Sequence, residues 1–333
     1  MDLFVLSKYR QELMGIAMLM VVFHHLAIPQ CSTVVDFLHV NGGFGVDIFL
    51  LLSGMGLYYS TRHGLNLRSF LYRRLTRIFP LYILVVVSVA LIKGQGAGDV
   101  LYMVSTLGYW LGKPCYDWFV PTIVVLYLLY PVFHWATFDK KHGVAIGLGI
   151  CIVMYVAFLL LPYGSNFQMW MRWPTFFLGS VAGMMIFDER HDGRLPFFGW
   201  GGVFVFLLFV GVFFSVWAFI HFREADIDSY TIPAIKTSGW LFKPYFPAVL
   251  CFCCLTASCV DRVRLDWIRN FLSMIGSMSL EVYLLHGQFI ELARNITNEY
   301  ALNKPLVGGG MVIISFFVAW ILHYLNTVLS KRL

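Results

Sequence analysis

The chain has 333 residues, of which 59% are hydrophobic and only 13% charged. Soluble globular domains carry roughly 45–50% apolar and about 25% charged residues, so a water-soluble fold is excluded on both counts. A net charge of +6 is small for this length and argues against a nucleic-acid partner, leaving the lipid bilayer as the solvent this surface requires.

Lys8 and Arg10 precede an apolar stretch in the manner of a secretory signal. No small-residue cleavage site follows His25 and many apolar runs come after, so the stretch reads as a first membrane span. Crossing ~30 Å of hydrocarbon takes about 20 helical residues. Ten segments approach that length: Gln11–Pro29, Gly43–Ser60, Ile78–Ile92, Phe119–Phe138, Val144–Leu161, Arg172–Phe187, Phe198–His221, Phe246–Val260, Phe271–Leu292 and Leu306–Leu329. Val100–Leu111 is shorter and reads as a re-entrant or interfacial piece. Backbone groups in lipid must be satisfied internally, and continuous apolar runs do not fit alternating barrel strands. The expected fold is therefore an all-α integral membrane bundle of about ten helices, one transmembrane domain over residues 1–333 without a separate soluble domain.

Basic residues fall on alternate loops. One side receives Lys8 and Arg10; Arg62, Arg68, Arg73, Arg74 and Arg77; Lys140 and Lys141; Arg190 and Arg194; Arg262, Arg264 and Arg269; and Lys331 and Arg332. These are sixteen of the twenty-four Lys and Arg residues. Because cytoplasmic loops hold the basic excess, both termini are expected in the cytoplasm, and nine spans would break the alternation. Of the seven cysteines, Cys251, Cys253, Cys254 and Cys259 lie in an apolar run with no nearby histidine, so no metal site is expected. Cys31 and Cys115 both fall outside by this topology, where a disulfide and two free thiols are equally open.

Ionisable residues in lipid are costly and mark paired or functional positions. The first span carries His24 and His25 near its outer end, and the antiparallel second span carries Asp47 near its own. Equal depth makes His25 and Asp47 a candidate base and orienter, or a hydrogen bond that staples two helices. The arginines ending in RRLTRIFP follow the positive-inside rule, yet Arg73, Arg74 and Arg77 could also bind phosphates at a cytoplasmic mouth. Arg172 at the outer start of the sixth span reads as a snorkelling side chain. Glu281, Tyr283 and His286 of the ninth span complete the candidates, His286 lying deep enough to need a partner.

The segments ELMGIAMLMVVFHH, GGFGVDIFLLLSG and YRRLTRIFP occur in this order, followed by DWFVPTIVVLYLLYP, RWPTFFLGSVAGM and SLEVYLLH. Together they resemble the acyltransferase 3 family of integral-membrane acyltransferases, over most of the chain from Arg10 to His286. The resemblance implies about ten helices and a catalytic histidine at His25. The family's arginine, ten residues before that histidine, falls on Met14; Arg10, one turn upstream, shares its face. The resemblance further implies transfer of an acyl group, usually acetyl, from cytoplasmic acyl-CoA to a hydroxyl on an extracytoplasmic acceptor, commonly a cell-surface glycan sugar. Acyl-CoA is then a co-substrate, with no bound cofactor, and Arg10, Arg73, Arg74 and Arg77 are its phosphate ligands. The competing expectation is a transporter or flippase that uses the same buried charges as relays; the absence of paired repeats ranks it second.

Overall fold

The computed structural model describes residues 3–26, 32–160, 167–187, 245–300 and 303–330, and every regular element among them is helical. In chain order these are α1 (Phe4–Lys8), α2 (Arg10–His25), α3 (Thr33–Asn41), α4 (Gly45–Thr61), α5 (Leu67–Ile92), α6 (Ala97–Val104), α7 (Leu107–Leu111), α8 (Phe119–Thr137) and α9 (Gly143–Leu160). There follow α10 (Phe167–Trp170), α11 (Trp173–Phe187), α12 (Tyr245–Arg262), α13 (Asp266–Ser277), α14 (Ser279–Tyr300) and α15 (Lys304–Ser330). The expected seventh span Phe198–His221, Cys31, Arg190, Arg194, Lys331 and Arg332 lie outside the described residues.

Four helical segments are long and apolar enough to cross a membrane: Thr33–Thr61, Leu67–Ile92, Phe119–Thr137 and Pro305–Val328. The first of these joins α3 to α4 through a 3₁₀ turn at Gly42–Phe44. Gly143–Phe158 and Trp173–Phe187 are apolar but shorter. Outward apolar faces such as Leu84, Leu91 and Ile92 on α5, and Ile313, Phe317 and Trp320 on α15, are what lipid would cover.

Two expectations need correction. The ninth span is not one helix from Phe271: the chain breaks at Met278, and α13 before it is a separate amphipathic helix. Its Trp267, Phe271 and Met274 face outwards, while Gly276 and Leu272 lie against α2. The third span starts at Leu67 rather than Ile78, capped by the Asn66 side chain accepting from Ser69 N–H. Arg68, Arg73, Arg74 and Arg77 therefore ride on helix, not loop. Val100–Leu111 needs no such correction: it falls in two short helices, parted where Thr106 takes a left-handed conformation, and is not among the helices long enough to span.

Close packing comes from glycine. On α4 and α11, a Cβ on Gly54 would sit 1.9 Å from the Phe176 carbonyl oxygen, and one on Gly179 at 1.9 Å from that of Leu51. Ser180 Oγ seals the seam by donating to Gly54 O at 3.1 Å. The same device joins α2 to α13, where Gly15 meets the Leu272 carbonyl and Gly276 that of Gln11. Without a hydrophobic drive between helices in lipid, such backbone approach is what holds them.

Gly179→Leu forces these backbones apart and is expected to lower stability by about 1–3 kcal/mol or more. Gly309→Leu, where nothing lies within 4 Å, serves as the neutral control. Thermal unfolding in detergent reads both; equal melting temperatures would contradict this account of the seam.

Candidate functional site

Helices α2, α4, α5, α8 and α14 enclose a cavity of about 480 Å³. Its basic end is lined by Arg10, Tyr59, Ser60, Arg74 and Arg77, and its other end by Phe119, Val120 and Tyr283. Met14 lines it one turn above Arg10, so the two positions share one face of α2 as their spacing requires. The Arg10 Nε donates to Leu52 O at 3.4 Å, and Arg74 Nη2 to Ser60 Oγ at 2.5 Å. Arg74 Nε is buried with no hydrogen-bond partner among the described residues, a donor left over for a ligand. Arg73 is exposed and does not line the cavity. Helix geometry explains the difference, because successive residues on α5 turn by about 100°.

The expected His25–Asp47 pair is not formed. Asp47 instead meets Arg172, Nε to Oδ2 at 3.2 Å, with the two side chains only 1% and 3% exposed. Gly45 presses α4 on the Ala17 carbonyl of α2, and Asp47, two residues on, points about 200° away from that face. It shares its side of α4 with Leu51 and Gly54, which pack on α11. Arg172 does not snorkel: it also donates to Gly43 O at 3.2 Å and lies 5.1 Å from the Trp118 ring centre. This is a buried structural ion pair at the end of the bundle opposite the arginines.

His25 sits at that same end and is exposed. Its Nδ1 lies 2.8 Å from Val21 O. A carbonyl oxygen only accepts, so Nδ1 carries the proton and Nε2 keeps the lone pair. The ring meets His286 of α14, centroids 5.0 Å apart. His286 is buried and is held in the same way, Nδ1 at 2.7 Å from Tyr283 O. Tyr283 in turn lies 5.6 Å from His286 and 4.9 Å from Phe119, centroid to centroid. His24 is a clamp for α3: its Nδ1 donates to His39 O, and His39 Nε2 donates back to Leu26 O, each at 2.8 Å.

Sequence reasoning named Glu281 but missed its partner His323, and it missed Asp117. Glu281 is buried, on the far side of α14 from Tyr283, and binds His323 Nδ1 of α15 at 3.0 Å; His323 sits in an apolar run that named no partner. Asp117, just before α8, accepts from Val120 N–H at 2.7 Å and keeps a second, buried oxygen with no hydrogen-bond partner among the described residues. Burial pushes its carboxyl up to about 6. In the sequence it stands only as the first residue of the DWFVPTIVVLYLLYP motif. Beside it Tyr116 donates to Leu284 O at 2.6 Å, anchoring the loop on α14.

One face of α14 connects these parts. Ser279 and Tyr283 line the cavity, His286 touches His25, and Ile290, Ala293 and Thr297 continue the stripe towards the helix end. Spacings of three and four residues keep all of them on one side. Neither His25 nor His286 lines the 480 Å³ cavity; Tyr283 stands between.

Buried charges and apolar helices long enough to span lipid define a membrane-embedded protein, with a cavity that is basic at one end and stops at Tyr283, next to an imidazole pair. A family model described as an acyltransferase domain matches residues 13–324, nearly the whole chain, and the protein belongs to this acyltransferase 3 family. No curated protein and no solved structure matches it.

Removing one partner of the Asp47–Arg172 pair leaves a bare buried charge, so Asp47→Ala is expected to cost roughly 3–5 kcal/mol. Asp47→Leu combined with Arg172→Met is expected to recover most of that loss. A double-mutant cycle on unfolding in detergent measures the coupling, and additive losses would remove the pair from this role.

Proposed function

We propose that the protein is an O-acyltransferase that moves an acyl group, acetyl as the leading case, from cytoplasmic acyl-CoA to a hydroxyl of an extracytoplasmic acceptor, a cell-surface glycan sugar. The reading places both termini in the cytoplasm of a chain crossing the cell membrane about ten times, as the alternation of basic loops requires. The observation that carries it is the run from Arg10, Arg74 and Arg77 through the cavity to Tyr283, and from Tyr283 to His286 and His25.

A nucleotide-bearing donor suits this shape. Guanidinium groups at the basic end bind its phosphates, and a thin pantetheine arm lies along the apolar wall formed by Phe49, Ile123 and Phe119. The thioester then arrives beside Tyr283. His25 Nε2 takes the proton of the acceptor hydroxyl as its oxygen attacks the thioester carbonyl carbon. The C–S bond breaks, the new ester forms, and the proton passes to the CoA thiolate. His286 faces His25 in place of the carboxylate that sequence spacing suggested, and the Val21 carbonyl replaces it as the group that sets the tautomer. Asp47 and Arg172 act one step removed, by holding α4, α11 and the Trp118 end of α8 in register.

Reconstituted protein is expected to release CoA from radiolabelled acetyl-CoA, with His25→Ala slowing it about 10²–10⁴-fold. Arg77→Ala is expected to raise the donor KM while leaving kcat nearly unchanged, since its contact precedes the chemistry. Release unaffected by His25→Ala would remove the base. A fall in kcat alone for Arg77→Ala would remove the phosphate site.

A further inference from the structure

Beyond His286 the stripe on α14 ends in a second hollow of about 160 Å³, bordered by Leu26, Ile290, Arg294, Thr297 and Asn298. Leu26 directly follows His25 and Ile290 lies one turn past His286, so this hollow lies beyond the imidazole pair on the side away from the arginine cavity, with neither imidazole among its lining residues. The eight residues from His286 to Arg294 advance about 12 Å along the helix. That is a span for one or two linked rings between the reacting hydroxyl and a group held by the guanidinium.

Arg294 is exposed, and among the described residues no ion pair reaches it. The acid one turn back, Glu291, is already taken by Lys93, the residue that follows α5, at 2.8 Å. Arg294 also lies near enough to His25 for the two charges to act on each other. An uncommitted cation thus stands at the mouth of a hollow whose other polar groups are an amide and a hydroxyl. A guanidinium is matched to a carboxylate or phosphate, and Asn298 supplies both a donor and an acceptor for sugar hydroxyls.

We infer that this hollow is the acceptor subsite, and that Arg294 selects an anionic sugar by binding its carboxylate or phosphate while a hydroxyl further along the acceptor reaches His25. The inference rests on the acyltransferase reading for the role of the site, though not for anion binding itself. The anion also has a local electrostatic use, since it would offset the Arg294 charge beside an imidazole that must become cationic in the transition state.

The test uses full-length protein in lipid nanodiscs with three probes: p-nitrophenyl β-glucoside, the β-glucuronide and the β-glucoside 6-phosphate. Binding is read by equilibrium dialysis and transfer by label from acetyl-CoA. Wild type is expected to bind one or both anionic probes roughly ten- to a hundredfold more tightly than the neutral one, the range of a charge-assisted contact. Arg294→Gln abolishes that preference through KM, Arg294→Lys keeps part of it, and added salt weakens it. Equal binding of all three probes, binding of none, or a preference that survives Arg294→Gln each overturns the inference. Anion binding at Arg294 without His25-dependent CoA release would instead overturn the acyltransferase reading and leave an anion site standing. Comparing the glucuronide with the 6-phosphate tells which anion is selected.

Discussion

At Gly54 and Gly179 no side chain separates the backbones of α4 and α11, and much of the site follows from that contact. Helices this close cannot rotate without driving a Cβ into a carbonyl, so the facing residues of α4 are fixed. Asp47 lies on that seam and is delivered to Arg172, while the opposite face of α4 rests through Gly45 on α2. His25 is thereby left to a different neighbour. It meets His286 of α14, and the proposed chemistry accordingly runs along α14 rather than between the first two spans.

That arrangement divides labour between buried charges. Arg172 and Asp47 neutralise each other within the bundle, and Glu281 with His323 ties α14 to α15 from behind. A buried pair such as Asp47–Arg172 adds little net stability over apolar packing but costs heavily when halved, so its value lies in fixing register. The imidazoles of His25 and His286 are spared such pairing. Each spends one nitrogen on a carbonyl of its own helix, which orients the ring. The arginines at the far end of the cavity are likewise only partly committed, Arg74 keeping a buried Nε–H with no partner among the described residues.

How much of this the sequence carried depends on what each feature rests on. Hydrophobic run length located α4, α8, α9 and α11 closely, because their apolar composition continues to their ends. It failed at the start of α5, where arginines on a helix look the same as arginines in a loop. It failed again at Met278, where an amphipathic helix and a span abut without a polar gap. The ordered motifs found the family and drew attention to His25, Asp47, Arg172 and His286. Who pairs with whom was beyond them. Depth along the membrane can be counted from sequence, but rotation about a helix axis depends on where glycine allows contact. Equal depth suggested His25 with Asp47, and rotation chose Arg172. Rotation likewise turned Arg73 out of the cavity that admits Arg74 and Arg77.

The central claim is a single passage, entered by donor at the arginine end and by acceptor at the histidine end. Sealed vesicles carrying uniformly oriented protein test it most directly, with labelled acetyl-CoA supplied only at the arginine face and a membrane-impermeant glycan enclosed at the other. The account predicts labelled glycan inside and free CoA on the donor side alone. Product formed only when both substrates share one face would contradict it.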